Sequence, residues 1–129
     1  MGIFNKIFNS ATEEDEKSDI GWISLTNLEQ LDRIVEDSKT KSQVIFKHST
    51  RCGISRVVLR QFEKQYPFTS EEVDLYYLDL LNHRDVSNEI ASHYHVYHES
   101  PQLLIIKDGQ VIKHASHESI NSLTLSDLI

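Results

Sequence analysis

One cysteine, Cys52, stands in the stretch "KHSTRCGIS" that runs from Lys47 to Ser55. A free cysteine in a core behaves as a small hydrophobe, but the flanks here are polar: Ser49, Thr50 and Arg51 precede it, Gly53 and Ser55 follow it. If a helix begins at about Gly53, the sulfur faces unpaired backbone N–H groups and the positive end of the helix dipole, a setting that favours thiolate over thiol. Arg51 could add positive charge, with His48 a second candidate, although Arg51 is equally well read as a solvated surface charge. Ser55, one helical turn on, is placed to donate its hydroxyl hydrogen to the thiolate. Such a thiolate attacks a disulfide and forms a mixed disulfide with one half of it. With no second cysteine in the chain, an outside thiol must resolve that adduct. A lone cysteine also forms no internal disulfide, which fits a reducing compartment.

The elements around Cys52 follow from residue spacing. "WISL" (Trp22 to Leu25) reads as a short strand, and Thr26 with Glu29 fits a capping box before Leu28, Leu31, Ile34 and Val35 at helical spacing. "VIF" (Val44 to Phe46) reads as a strand buried on both faces. Ile54, Val57, Val58 and Phe62 then return to a helical stripe that stops before Pro67. Cys52 therefore lies at a strand-to-helix junction. "VDLYYLDL" (Val73 to Leu80) is the third strand, with Tyr76 and Tyr77 on opposite faces, one in and one out. Asn82 is the expected N-cap of a helix carrying Val86, Ile90, Ala91 and Tyr94. After Pro101, "QLLIIKDGQVIKHAS" is a hairpin signature turning at Asp108 and Gly109. Leu123, Leu125, Leu128 and Ile129 predict a short final helix over Ser119 to Ile129. The order βαβαβαββα implies an α/β fold: a central mixed sheet of 4–5 strands with helices on both faces.

Composition narrows the setting. A chain of 129 residues with 39% hydrophobic and 26% charged residues is sized and composed as one globular domain. Residues 1–19, with the acidic run "SATEEDEKSD", read as a flexible leader before a domain at residues 20–129. The net charge of −7 argues against nucleic acid as a partner. The absence of a long apolar run and of a signal-peptide pattern predicts a cytoplasmic protein without a membrane partner. His83, His93, His95 and His98 cluster in sequence, but residues two apart do not share a helix face, so no metal site is expected. His114 and His117 read as structural, with a packing role open for His117.

The strand, the Cys-x-x-Ser at the next helix start and the Ser100-Pro101 before a strand-turn-strand pair resemble thioredoxin-like proteins. More narrowly, "FKHSTRCGIS", "ESPQLLIIKDG" and "ASH" (Ala115 to His117) resemble the YtxJ-type monothiol bacilliredoxins, over roughly Ile20 to the C-terminus. The resemblance implies a thioredoxin-like fold with Cys52 as nucleophile, Ser55 in the place of a resolving cysteine, and Pro101 after a cis peptide bond. Thr50, Arg51, Gly53, Ile54, Ser100 and Pro101 are then the expected substrate contacts. It implies removal of bacillithiol, or a similar low-molecular-weight thiol, from S-thiolated protein substrates, with the small thiol as co-substrate and no bound cofactor. Gly53 departs from the proline usual in the family's Thr-Cys-Pro-Ile-Ser, which leaves the thiol's tuning open.

Two other readings compete. Attack of the thiolate on an oxyanion, as in arsenate reductases, requires cationic ligands, and only Arg51 and Arg56 are close in sequence. A thioredoxin-like binding or redox-sensing module would use the Pro101 groove and leave Cys52 without disulfide reactivity.

Overall fold

A computed structural model describes residues 20–129, so the leader at residues 1–19 lies outside the described residues. The chain forms β1 (Trp22–Ser24), α1 (Glu29–Asp37), β2 (Ser42–His48), α2 (Gly53–Gln65), β3 (Val73–Asp79), α3 (Arg84–Tyr94), β4 (Gln102–Lys107) and β5 (Gln110–Ser116). One five-stranded sheet results, in the order β1-β3-β2-β4-β5. The helical crossovers make β1, β3 and β2 parallel, whereas β4 runs antiparallel to β2 and β5 to β4.

Two apolar cores sandwich the sheet. On one face Leu31 and Ile34 of α1 and Val86 and Ile90 of α3 pack on Ile45, Tyr76, Leu78 and Leu104. On the other, Val58, Leu59 and Phe62 of α2, with Ile120 and Leu123, pack on Val44, Phe46, Leu75, Leu103 and Ile105. The strand period of two sends alternate residues to the two cores. Central β2 is therefore buried along its whole length, from Ser42 to His48. Phe46 and Phe62 have ring centroids 5.2 Å apart, and Trp22 ties β1 to α2 by donating Nε1–H to Glu63 Oε2 at 2.8 Å. Truncating either phenylalanine to Ala would cost about 3–5 kcal/mol. The β4–β5 turn has positive φ at Asp108 (53°) and Gly109 (75°), as a type I′ turn needs. It docks on the end of α1, where Gly109 N–H donates to Ser38 Oγ at 2.8 Å.

Several local expectations are corrected. The cap of α1 is shifted by one residue: Gln30 N–H donates to Asn27 Oδ1 at 3.0 Å, and Gln30 Oε1 accepts from Thr26 N–H at 2.7 Å and Asn27 N–H at 3.2 Å. Glutamine reaches back where Glu29 was expected to. Asn82 does not cap α3. His83 holds that position, and Asn82 Nδ2 donates to Asp79 Oδ2 at 2.8 Å. The expected final helix is two 3-10 turns, His117–Ser122 and Leu125–Asp127. Leu123, Leu125 and Leu128 are partly buried and pack on the α2-side core. Tyr76 is buried and Tyr77 only partly so, with the Trp22 ring packed edge-on against it at 5.6 Å.

Candidate active site

Cys52 is the N-cap of α2, in extended conformation (φ −104°, ψ 121°), and no side-chain hydrogen bond caps that helix. The sulfur's residue thus sits where the first-turn N–H groups lack intrahelical acceptors. The chain reaches this point from β2 through a tight turn in which Cys52 N–H donates to Ser49 C=O at 3.2 Å, and Cys52 C=O then accepts Arg56 N–H at 3.2 Å. Arg56 folds back to donate Nη1 to Thr50 C=O at 3.1 Å. Cys52 is half-buried, while Thr50, Arg51, Gly53 and Ile54 around it are exposed.

Ser55 is wholly buried. Its Oγ lies 2.7 Å from His48 Nδ1 and accepts Ser49 N–H at 3.2 Å. The hydroxyl fastens the end of β2 to the first turn of α2, so its hydrogen bonds serve the turn that carries the thiol. The reason is rotational: α2 buries the face bearing Ser55, Val58, Leu59 and Phe62. Ile54 and Val57, expected on the core stripe, are instead 60% and 57% exposed.

The Ser100–Pro101 bond is cis. In the antiparallel register Lys47 lies opposite Gln102. Pro101 directly precedes that last paired residue, at the C-terminal end of β2, the end that leads into Cys52. Pro101 C=O accepts His117 N–H at 3.0 Å, which gives His117 a backbone role in this corner. Tyr97, in the segment leading to Pro101, is 94% exposed. A Cβ built on Gly53 would meet only Arg56 Nη2, at 3.9 Å, so nothing in the packing demands glycine.

Residues that sequence reasoning passed over lie on the other side of β2. Lys47 is wholly buried, and its Nζ lies 3.2 Å from His98 Nδ1. Burial lowers the Lys47 ammonium pKa to about 8. His98 is itself exposed, and partial desolvation of its ring, then the charges of Lys47 and Arg84, hold it below its ordinary value against the opposing pull of Glu99. The signal available in sequence was a lysine directly after the apolar "VIF" on a strand read as buried on both faces.

A sheet of this order, with a cysteine capping the helix after its central strand and a cis-proline before an antiparallel strand, defines a thioredoxin-fold thiol oxidoreductase. Solved structures agree. A candidate oxidoreductase with a thioredoxin fold is 32% identical, with a TM-score of 0.70 over 82% of this chain and 91% of that one. Thioredoxin from Trypanosoma brucei brucei shares the fold at 17% identity, with a TM-score of 0.66 over 84% of this chain and 91% of that one. Mitochondrial thioredoxin 3 from Saccharomyces cerevisiae shares it at 21% identity, with a TM-score of 0.62 over 86% of this chain and 95% of that one. The chain belongs to the monothiol bacilliredoxin family, whose model for monothiol bacilliredoxin BrxC matches residues 23–125. No helix among the described residues is long and apolar enough to cross a membrane.

Proposed function

We propose that the protein removes bacillithiol, or a similar low-molecular-weight thiol, from S-thiolated proteins in the cytoplasm. The Cys52 thiolate attacks the small thiol's sulfur in the mixed disulfide, and the substrate protein's cysteine leaves as thiolate. A Cys52–small-thiol disulfide remains. A second small-thiol thiolate attacks that sulfur, which regenerates the Cys52 thiolate and carries away the symmetrical small-thiol disulfide. Electrons balance with the small thiol as reductant, so it is a co-substrate and no bound cofactor takes part.

The observation that carries this reading is the pairing of a half-buried Cys52 at a helix start with a buried Ser55 hydroxyl where a resolving thiol would stand. In this reading Ile54, exposed two residues after Cys52, and Thr50, Arg51, Gly53, Ser100 and Pro101 are the contacts of the docked substrate. The test is reduction of a protein–bacillithiol mixed disulfide by the full chain, followed by intact mass spectrometry. The reading expects a bacillithiol adduct on Cys52 that free bacillithiol removes. Absence of the adduct under all conditions overturns it in favour of a binding module.

A further inference from the structure

Lys47 and His48 are neighbours with opposite surroundings. His48 reaches Ser55 of α2, while Lys47 reaches the α3 side. Lys47 is 0% exposed, an uncommon setting for an ammonium without a carboxylate. The ion pairs among the described residues are Lys39–Glu36 and Lys41–Asp74, and neither includes it. Its partner is His98 Nδ1 at 3.2 Å, which also lies 3.4 Å from Ser87 Oγ. His98 belongs to the segment 95–101 that joins α3 to β4 and ends in the cis Ser100–Pro101 bond. Gln102, opposite Lys47 in the sheet, holds the same segment by donating Nε2 to Tyr97 C=O at 2.9 Å. The side-chain ties of this segment therefore converge on the Lys47 side of the sheet, while its tip faces the Cys52 end.

The chemistry of the pair restricts it. An ammonium only donates, so Nδ1 must accept and the ring hydrogen resides on Nε2. A ring protonated on both nitrogens has no acceptor and sets two cations 3.2 Å apart. We propose that Lys47 and His98 are positioning residues for thiol exchange: their hydrogen bond holds the segment 95–101 where a thiolated substrate docks beside Cys52, and protonation of His98 releases that hold. The docking part rests on the exchange reading above; the hold itself does not. The charged groups facing the ring are Lys47 from β2, Arg84 from α3 and Glu99 from its own segment. Release falls on the acid side of the ordinary histidine value of about 6.5. On the alkaline side a neutral Lys47 amine can accept from Nδ1–H, so the hold survives and the pH effect is one-sided.

Two measurements on the full chain test this. The first is KM and kcat for a peptide–bacillithiol mixed disulfide from pH 5 to 9, with the rate of Cys52 alkylation by iodoacetamide recorded alongside to account for the thiolate fraction. The second is the backbone amide NMR signals of Tyr97, His98, Glu99 and Ser100 over the same range. Lys47→Met is expected to raise KM about tenfold at pH 7, the loss of one charge-assisted hydrogen bond, with the alkylation rate unchanged. In the wild type, KM rises and the four amides shift together on the acid side of the ordinary histidine value. His98→Asn keeps an acceptor near the Nδ1 position and does not titrate, so it retains KM near the wild-type value and abolishes both acid effects. A wild-type KM in Lys47→Met, or an unchanged acid response in His98→Asn, overturns the proposal. If Lys47→Met fails to fold, His98→Asn alone decides. Should the protein leave the mixed disulfide untouched, the exchange reading falls and the amide signals still decide whether the pair holds the segment.

Discussion

The end of β2 displays two hydrogen-bond networks, one on each face, and they are built on different scales. On the α2 face the network is local and centred on an uncharged hydroxyl: Ser55 Oγ meets Ser49 six residues away and His48 seven away in sequence. On the α3 face it is centred on a buried ammonium, and Lys47 and His98 are 51 residues apart. The first network lies within one strand-turn-helix. The second joins β2 to the segment between α3 and β4. The second also leaves strain in the polar accounting, since Gln102 Oε1 and Ser100 Oγ are buried without a hydrogen-bond partner among the described residues. One network carries the nucleophile, and the other carries the segment opposite it.

The comparison can be broken outright by Cys52→Ser, which is expected to abolish turnover of a bacillithiol mixed disulfide and to leave no adduct in the intact mass. Residual turnover at the wild-type rate would mean that neither network serves a thiol. Next in size, Ser55→Ala strips the shared partner from His48 Nδ1 and Ser49 N–H. Urea unfolding should show a loss of about 1–3 kcal/mol, and a loss below a few tenths would show that the local network is not what holds the turn.

Lys47→Met separates the networks by sign. Replacing a buried ammonium by an apolar chain of similar length should raise stability at pH 7 by about 1–2 kcal/mol, while the segment it holds becomes less effective in docking. Its pH dependence follows from burial lowering the Lys47 pKa to about 8. Between there and the ordinary lysine value of about 10.4, the unfolded chain binds the proton that the folded protein has lost, so wild-type stability rises with pH. Urea unfolding at pH 7 and pH 9.5 should therefore show the advantage of Lys47→Met shrinking as pH rises. An advantage that stays constant would place the Lys47 charge outside the energetics. The buried tyrosines, such as Tyr77 and Tyr94 pushed up to about 12, act in the opposite sense above the ordinary tyrosine value of about 10 and are common to both proteins.

The smallest effect tests the helix start itself. A Cβ at residue 53 would meet only Arg56 Nη2, at 3.9 Å, and Cys52 already has the extended conformation that precedes proline. Gly53→Pro is expected to add about 0.4–1 kcal/mol by restricting the unfolded chain, with the adduct on Cys52 still formed. A destabilised variant would show that the first turn of α2 must yield.

Much of the site was legible because local periodicity and turn chemistry are properties of short segments. The apolar "VIF", the stripe ending at Phe62 and the Asp108-Gly109 turn placed strand, helix and hairpin, and with them Cys52 at the junction. What failed was facing. Val57 groups by helical spacing with Val58 and Phe62, yet α2 is rotated so that Ser55 is inside and Val57 outside, while Ile54, on the same stripe but also expected to contact substrate, is exposed. Spacing specifies a period, and only the packed sheet specifies its phase.

The sequence by itself determined that this chain has one thiol, that the thiol stands where a strand becomes a helix, and that any adduct on it needs an outside thiol. Those conclusions follow from residue identity and backbone propensity within about ten neighbours. Only the tertiary structure decided that Ser55 fastens the turn instead of touching the sulfur, and that Lys47 is buried against a histidine from a distant segment. Burial and long-range hydrogen bonds depend on which surfaces the sheet order brings together, and no local pattern encodes that.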